Sequence, residues 1–289
     1  MPARLLLWVS VTAFAAGLGS LAVLQHRAFE TGRFDLGNFT QAVWSTAQGD
    51  LLQVTNLRGE QMSRLGAHFD PLVAALAPLW WLWPDPSLLL VVQALAVALG
   101  ALPVYWLARK HLGGDWYGAG FALVYLLYPP TQWLVLDDFH PVALATPLLL
   151  AAIWFLDEER LVPFAVAAGL ASLTKEQVGL TVAVLGLWFA VRHGRLLAGG
   201  VVALVGTVTA VVATALVVPR YAPGAGSPFA DRYAAVGGSP GGIVRTFLTD
   251  PLRVLEAAVQ TRDLAYVAKL LAPLALLPLL APGLALSAL

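Results

Sequence analysis

The sequence contains no cysteine. Disulfides, thiolate nucleophiles and Cys-ligated zinc are thereby excluded, and the redox compartment leaves no trace. Charge is scarce as well: only 12% of the 289 residues are Asp, Glu, Lys or Arg. A soluble domain carries roughly twice that share. The 17 acidic and 17 basic residues cancel. With no net charge, the chain offers no electrostatic footprint for nucleic acid. Internal repeats are missing, and no stretch has the composition of a soluble domain.

Apolar sequence is what the chain has in quantity: 59% of the residues are hydrophobic, and the mean hydropathy is +0.76. Several runs reach or approach the roughly 20 residues that cross a bilayer. The expected fold is therefore an all-α, polytopic integral membrane protein with about eight spans, forming a single transmembrane domain over residues 1–289. The expected spans are 5–24, 87–108, 117–136, 141–156, 161–173, 177–191, 196–218 and 264–286. The first is long for a signal peptide and ends in no clear cleavage site, so it reads as retained. Arg4, Arg109-Lys110-His111 and Arg192-His193-Gly194-Arg195 mark cytoplasmic ends by the positive-inside rule.

Two external regions result, 25–85 and 219–262. In the first, Leu36, Phe39, Val43 and Ala47 recur at helical spacing, which predicts an interfacial helix with Asp35 at its N-cap. The stretch 51–67 reads as a polar loop. Pro71–Trp83 is apolar but too short for a span, and Trp80, Trp81 and Trp83 suit the headgroup level. It reads as an interfacial or re-entrant helix. The segments 161–173 and 177–191 read as a helical hairpin whose tip is Thr174-Lys175-Glu176.

Four polar clusters then fall on the external side: Asp35 with Asn38, His68 with Asp70, Asp137-Asp138 with His140, and Lys175-Glu176. Ionisable groups at membrane depth persist when they are paired, solvated or functional. Lys175 can hold a phosphate as a point charge at a helix start, or pair with Glu176. Asp35 can cap its helix, and the cap would also aim it as a general base. Asp138 and His140 suit a divalent metal or a substrate hydroxyl, or a solvated turn. His68 and Asp70 precede Pro71, and a helix start is their simpler reading. Arg232 and Tyr233 in the second external region are candidate phosphate and sugar contacts.

The segments Phe34-Asp35-Leu36-Gly37-Asn38, Gly66-Ala67-His68-Phe69-Asp70-Pro71, Asp138-Phe139-His140-Pro141 and Leu173-Thr174-Lys175-Glu176 resemble the domain of unknown function 2079 family, from about residue 5 to 282. These are uncharacterised prokaryotic membrane proteins, grouped with the GT-C membrane glycosyltransferases. The resemblance implies a GT-C-like fold at the cell membrane and transfer of a sugar from a polyprenyl-phosphate donor to an acceptor on the external face. Asp35 matches the family's acidic residue of the first external loop. Lys175 matches the lysine that commonly sits near the donor phosphate at the hairpin tip, and Arg232 is the further candidate for binding that phosphate. Asn38, His68, Asp70, Asp138, His140, Glu176 and Tyr233 are then expected around substrate. The partners implied are membrane lipid and the lipid-linked donor, with a divalent metal an open question. A carrier or flippase for a lipid-linked or anionic substrate, or an inactive membrane subunit, is the alternative. Relatives usually run on through further spans, so the apolar end at Leu289 reads as that of a fragment, a short form or a frameshifted gene.

Overall fold

A computed structural model of the chain describes residues 1–31, 34–56, 58–222, 234–258 and 261–275. The described residues are almost entirely helical. In chain order the helices are α1 (Pro2–Arg27), α2 (Phe34–Ala47), α3 (Ala77–Trp80), α4 (Ser87–Leu99), α5 (Ala101–Leu112), α6 (Asp115–Leu127), α7 (Pro129–Leu136), α8 (Val142–Asp157), α9 (Leu161–Ser172), α10 (Val178–Arg192), α11 (Leu196–Val212), α12 (Val218–Tyr221), α13 (Pro240–Thr249), α14 (Pro251–Ala258) and α15 (Thr261–Leu271). Short 3-10 helices cover Arg64–Gly66, Pro71–Leu76 and Ala272–Leu274.

Among the described residues, three helices are long and apolar enough to cross a membrane: Pro2–Arg27, Ser87–Leu112 and Leu196–Tyr221, each of 26 residues. The second joins α4 and α5, and the third runs from α11 through a π-helical turn into α12. A fourth arises if α6 and α7 count as one span bent by 51°. The expectation of eight spans is thus corrected. The bend has a local cause: Pro129-Pro130 opens α7, and Tyr128 before it is extended at φ −64°, ψ 122°, as a residue ahead of proline prefers to be. The other expected spans are short helices. Those of 16, 12 and 15 residues (α8, α9, α10) reach only about 24, 18 and 22 Å at 1.5 Å per residue, against a hydrocarbon core of about 30 Å. The expected last span is described only as far as Ala275.

The lipid-facing character of the long helices is visible in what they leave uncovered. Leu197, Leu204, Val208 and Leu216 on the third span are all more than half exposed or close to it. A continuous apolar face of that length needs lipid rather than water. Inside the bundle, small residues let backbones meet. The expected 161–191 hairpin is present as α9 and α10 joined across Thr174-Lys175-Glu176, and each arm also packs along a further neighbour, α9 along α8 and α10 along α11. The α10–α11 contact is set by glycines. A Cβ on Gly186 would lie 2.6 Å from the Ala203 nitrogen, and one on Gly179 would lie 2.6 Å from the Gly206 carbonyl oxygen. Membrane helices associate through such close approach, because lipid gives them no hydrophobic drive.

One surface feature departs from the loop expected at 51–67. Strands β1 (Gln53–Thr55) and β2 (Gln61–Ser63) pair antiparallel, with Val54 opposite Met62. Gly59 turns the hairpin at φ +81°, where only glycine is at ease. The hairpin is fastened to α2: Gln41 Nε2 donates to Thr55 Oγ1 at 2.8 Å, and the Thr55 N–H donates to Gln41 Oε1 at 2.9 Å. Pro71–Trp80 is a short apolar helix, as the sequence led us to expect, and not a span.

Candidate functional site

All four polar clusters meet at one end of the bundle. The reason is connectivity: α1, α7, α9 and α11 finish at that end, and α2, α4, α8 and α10 begin there. Basic residues gather at the opposite end, joined in ion pairs. Arg109 and Arg4 lie 2.6 and 3.2 Å from Asp115, Lys110 lies 2.7 Å from Asp157, and Arg195 lies 2.6 Å from Glu159.

Asp35 is the second residue of α2, inside its first turn. The expected N-cap position is thus corrected by one or two residues. The free N–H groups of a first turn favour a carboxylate there. Its Oδ2 stands 3.7 Å from His140 Nε2, and its side chain is half exposed. His140 is held from behind. Its Nδ1 is 2.6 Å from the Asp138 carbonyl oxygen, so Nδ1 carries the proton and Nε2 is the nitrogen turned toward Asp35. The turn that carries His140 is itself pinned by Gln93 on α4. The Gln93 side-chain oxygen accepts the His140 N–H at 2.9 Å, while its amide nitrogen donates to the Leu134 carbonyl at 2.9 Å and reaches those of Asp138 and Asp137. Gln93 is fully buried, and Asp138 is buried beside it.

Beneath Asp35, the Arg64 guanidinium ties two further clusters together. Its Nη1 donates to Asn38 Oδ1 at 2.7 Å, and its Nε and Nη2 donate to Asp70 Oδ2 at 3.1 and 3.0 Å. It also lies 4.1 Å from the centre of the Phe39 ring, a favourable cation–π distance. Phe39 in turn meets Phe139 edge to face at 5.4 Å. Arg64, Asp70 and Asn38 are all buried. Burial pushes the Asp70 carboxyl above its ordinary range, and the charge and hydrogen bond of Arg64 work against that. Asp70 Oδ1 has no hydrogen-bond partner among the described residues.

The fourth cluster is fastened to the second. Glu176 Oε1 is 2.8 Å from His68 Nδ1, and Oε2 accepts the Phe69 N–H at 3.0 Å. The Leu72 N–H donates to the Leu173 carbonyl at 3.0 Å. Burial raises the cost of the Glu176 charge, but the His68 hydrogen bond and charge and the backbone donors outweigh it, and its carboxyl is lowered to about 2. Lys175 does not pair with its neighbour: among the described residues no hydrogen bond or ion pair engages its ammonium. Gly66 explains the glycine of its motif, because the Tyr221 backbone of α12 lies directly where a Cβ would be.

Two hollows adjoin these residues. A groove of about 620 Å³ runs between α9 and α11, lined by Phe164, Gly169, Leu173, Val202, Val205 and neighbours that are nearly all apolar. Its upper end at Ser172-Leu173 comes within two residues of Lys175. The second, about 510 Å³, lies between α7 and α15 and is edged by Trp133, Asp137, Tyr266 and Lys269. Tyr128 anchors α15 there by donating to the Leu270 carbonyl at 2.6 Å. Among the described residues no three His, Asp or Glu side chains gather as a metal would need.

Of the residues expected from sequence, Asp35, Asn38, His68, Asp70, Asp138, His140, Lys175 and Glu176 lie at this end. Arg232 and Tyr233 lie outside the described residues. Two residues were missed. Arg64 was passed over as part of a polar loop, and Gln93 as part of a span; a lone amide in the apolar run Val91-Val92-Gln93-Ala94-Leu95 was the available signal. A family model described as "Predicted membrane protein (DUF2079)" matches residues 25–289. No curated protein matches the chain, and no solved structure matches it.

Proposed function

The chain belongs to the DUF2079 family of predicted membrane proteins, and from that premise we propose that it transfers a sugar from a polyprenyl-phosphate donor to an acceptor hydroxyl on the external side of the cell membrane. One observation carries the reading: a carboxylate faced by a histidine, and a lysine with no partner among the described residues, sit at one end of a membrane bundle, the lysine two residues beyond Leu173 in the lining of an apolar groove. The groove suits an isoprenoid chain, and the ammonium suits the phosphate that ends it. The outward placement follows from the basic residues at the other end.

In the proposed step Asp35 accepts the proton of the acceptor hydroxyl as its oxygen bonds to the anomeric carbon. The bond from that carbon to the phosphate oxygen breaks, with inversion. Lys175 stabilises the charge that develops on the leaving phosphate. His140 borders the Asp35 carboxylate at 3.7 Å, and the cleft between α7 and α15 gives an acceptor a route beside Asp137. Asn38, Asp70 and Arg64 hold the floor.

The test is donor turnover. Purified protein in lipid is offered a panel of radiolabelled polyprenyl-phosphate sugars, with Asp35→Asn and Lys175→Ala alongside. Cleavage of a donor by the wild type, reduced at least a hundredfold in both variants, is the expected result. Binding without cleavage, with Lys175 reachable from both membrane sides, would instead support a carrier.

A further inference from the structure

Lys175 and Glu176 are adjacent in sequence at the turn between α9 and α10. Left to themselves at a partly exposed turn, two such side chains compensate each other. The structure has them apart. Glu176 is turned to the first external region, where His68 Nδ1 and the Phe69 N–H each take one of its oxygens. Both lone-pair sides of the carboxylate are thereby directed away from its neighbour. The same segment is tied down a second time, by the Leu72 N–H on the Leu173 carbonyl. Nearby negative charge is also managed: Asp70, close enough to Glu176 to repel it, is neutralised by Arg64 at 3.0 Å.

We propose that His68 is a positioning residue for anion binding, holding the Glu176 carboxylate off Lys175 so that the ammonium stays open to a phosphate. The inference rests on the reading of Lys175 as the phosphate-binding group. It makes the docking of residues 64–72 onto the α9–α10 turn a condition for donor binding. The anion site is then not a property of that turn alone: it is completed by a loop that arrives more than 100 residues earlier in the chain.

The effect expected from freeing Glu176 is that of one partly exposed ion pair competing with the ligand, about twofold to fivefold in affinity. The experiment measures binding of farnesyl phosphate, a short-chain polyprenyl monophosphate, to the full chain in lipid nanodiscs. His68→Ala is expected to weaken binding by that factor. Glu176→Gln should bind at least as well as the wild type. The decisive variant is His68→Ala with Glu176→Gln, which should return to the Glu176→Gln affinity, because no carboxylate remains to compete. His68→Gln, which still offers a donor to Glu176, should stay near the wild type. A double variant as weak as His68→Ala would overturn the proposal, since the histidine would then be needed only for the fold. Unchanged affinity in His68→Ala would overturn it too. Equal binding by wild type and Lys175→Ala fails differently: it removes Lys175 as the anion site, and the proposal falls with it.

Discussion

Arg64 is the residue on which the site's floor depends. It is buried, and it serves Asn38, Asp70 and the Phe39 ring together. Removing one member of a buried pair strands the other charge, which typically costs 3–5 kcal/mol. Arg64→Ala is therefore expected to lower the midpoint of thermal unfolding in detergent far more than Arg58→Ala, an exposed arginine on the same hairpin. A second residue-scale prediction concerns acid. The Glu176 carboxyl is lowered in the folded protein to about 2 from an ordinary 4.5. A depressed carboxylate contributes stability that is present above its unfolded value and is lost as pH falls through its folded value. Between about pH 4.5 and 2, the wild type should lose more stability than Glu176→Gln. Because the Asp70 shift runs the other way, the comparison must be between these two proteins rather than of the wild type alone. Asp35, Lys175 and Glu176 were legible in the sequence because charge is conspicuous in apolar surroundings. Arg64 was not, because nothing local distinguishes a buried arginine from a solvated one: its burial is made by Phe39 and Asp70, which arrive from both sides of it in the chain.

At the scale of elements, the α10–α11 pair bears the tightest packing. Gly179 and Gly186 face Gly206 and Gly199 across it. Gly186→Val should force the helices apart and cost at least 1–3 kcal/mol, read as a lowered midpoint of unfolding. Gly200→Ala is the matched control, since a Cβ there meets nothing within 4 Å, and the better helix propensity of alanine should leave it neutral or slightly stabilised. Because α10 begins at the turn that carries Lys175, the valine variant should also weaken farnesyl phosphate binding, whereas the alanine variant should not. The helices themselves were readable from hydropathy, and so was the shortness of the apolar segment Pro71–Trp80. Their number as spans was not. Composition marks an apolar run but not whether it bends, and the Pro129-Pro130 break divides one run into two helices. The β1–β2 hairpin was missed for the opposite reason: three-residue strands carry too little alternation to register, and its identity lies in the Gln41 clasp to α2.

The molecule as a whole has two unlike ends. One end carries Arg4, Arg109, Lys110, Arg192 and Arg195, held largely by ion pairs with Asp115, Asp157 and Glu159. The other gathers Asp35, Asp70, Asp138, His140, Lys175 and Glu176. If the basic end faces the cytoplasm, the site opens outward, where a lipid-linked donor would present its sugar. The absence of cysteine makes this directly measurable, because single-cysteine variants have no background thiol. Gln48 and Gln177 are exposed at the site end, and Arg192 is exposed at the other. In intact cells, a membrane-impermeant maleimide should label Gln48→Cys and Gln177→Cys but reach Arg192→Cys only after the membrane is opened. Labelling of Gln48 and Gln177 from different sides would separate the first loop from the α9–α10 turn and contradict the His68–Glu176 contact. Labelling of both only from the cytoplasm would keep the site intact and invert it, which would exclude a donor presented on the external face and leave the anion site to serve a substrate of the interior.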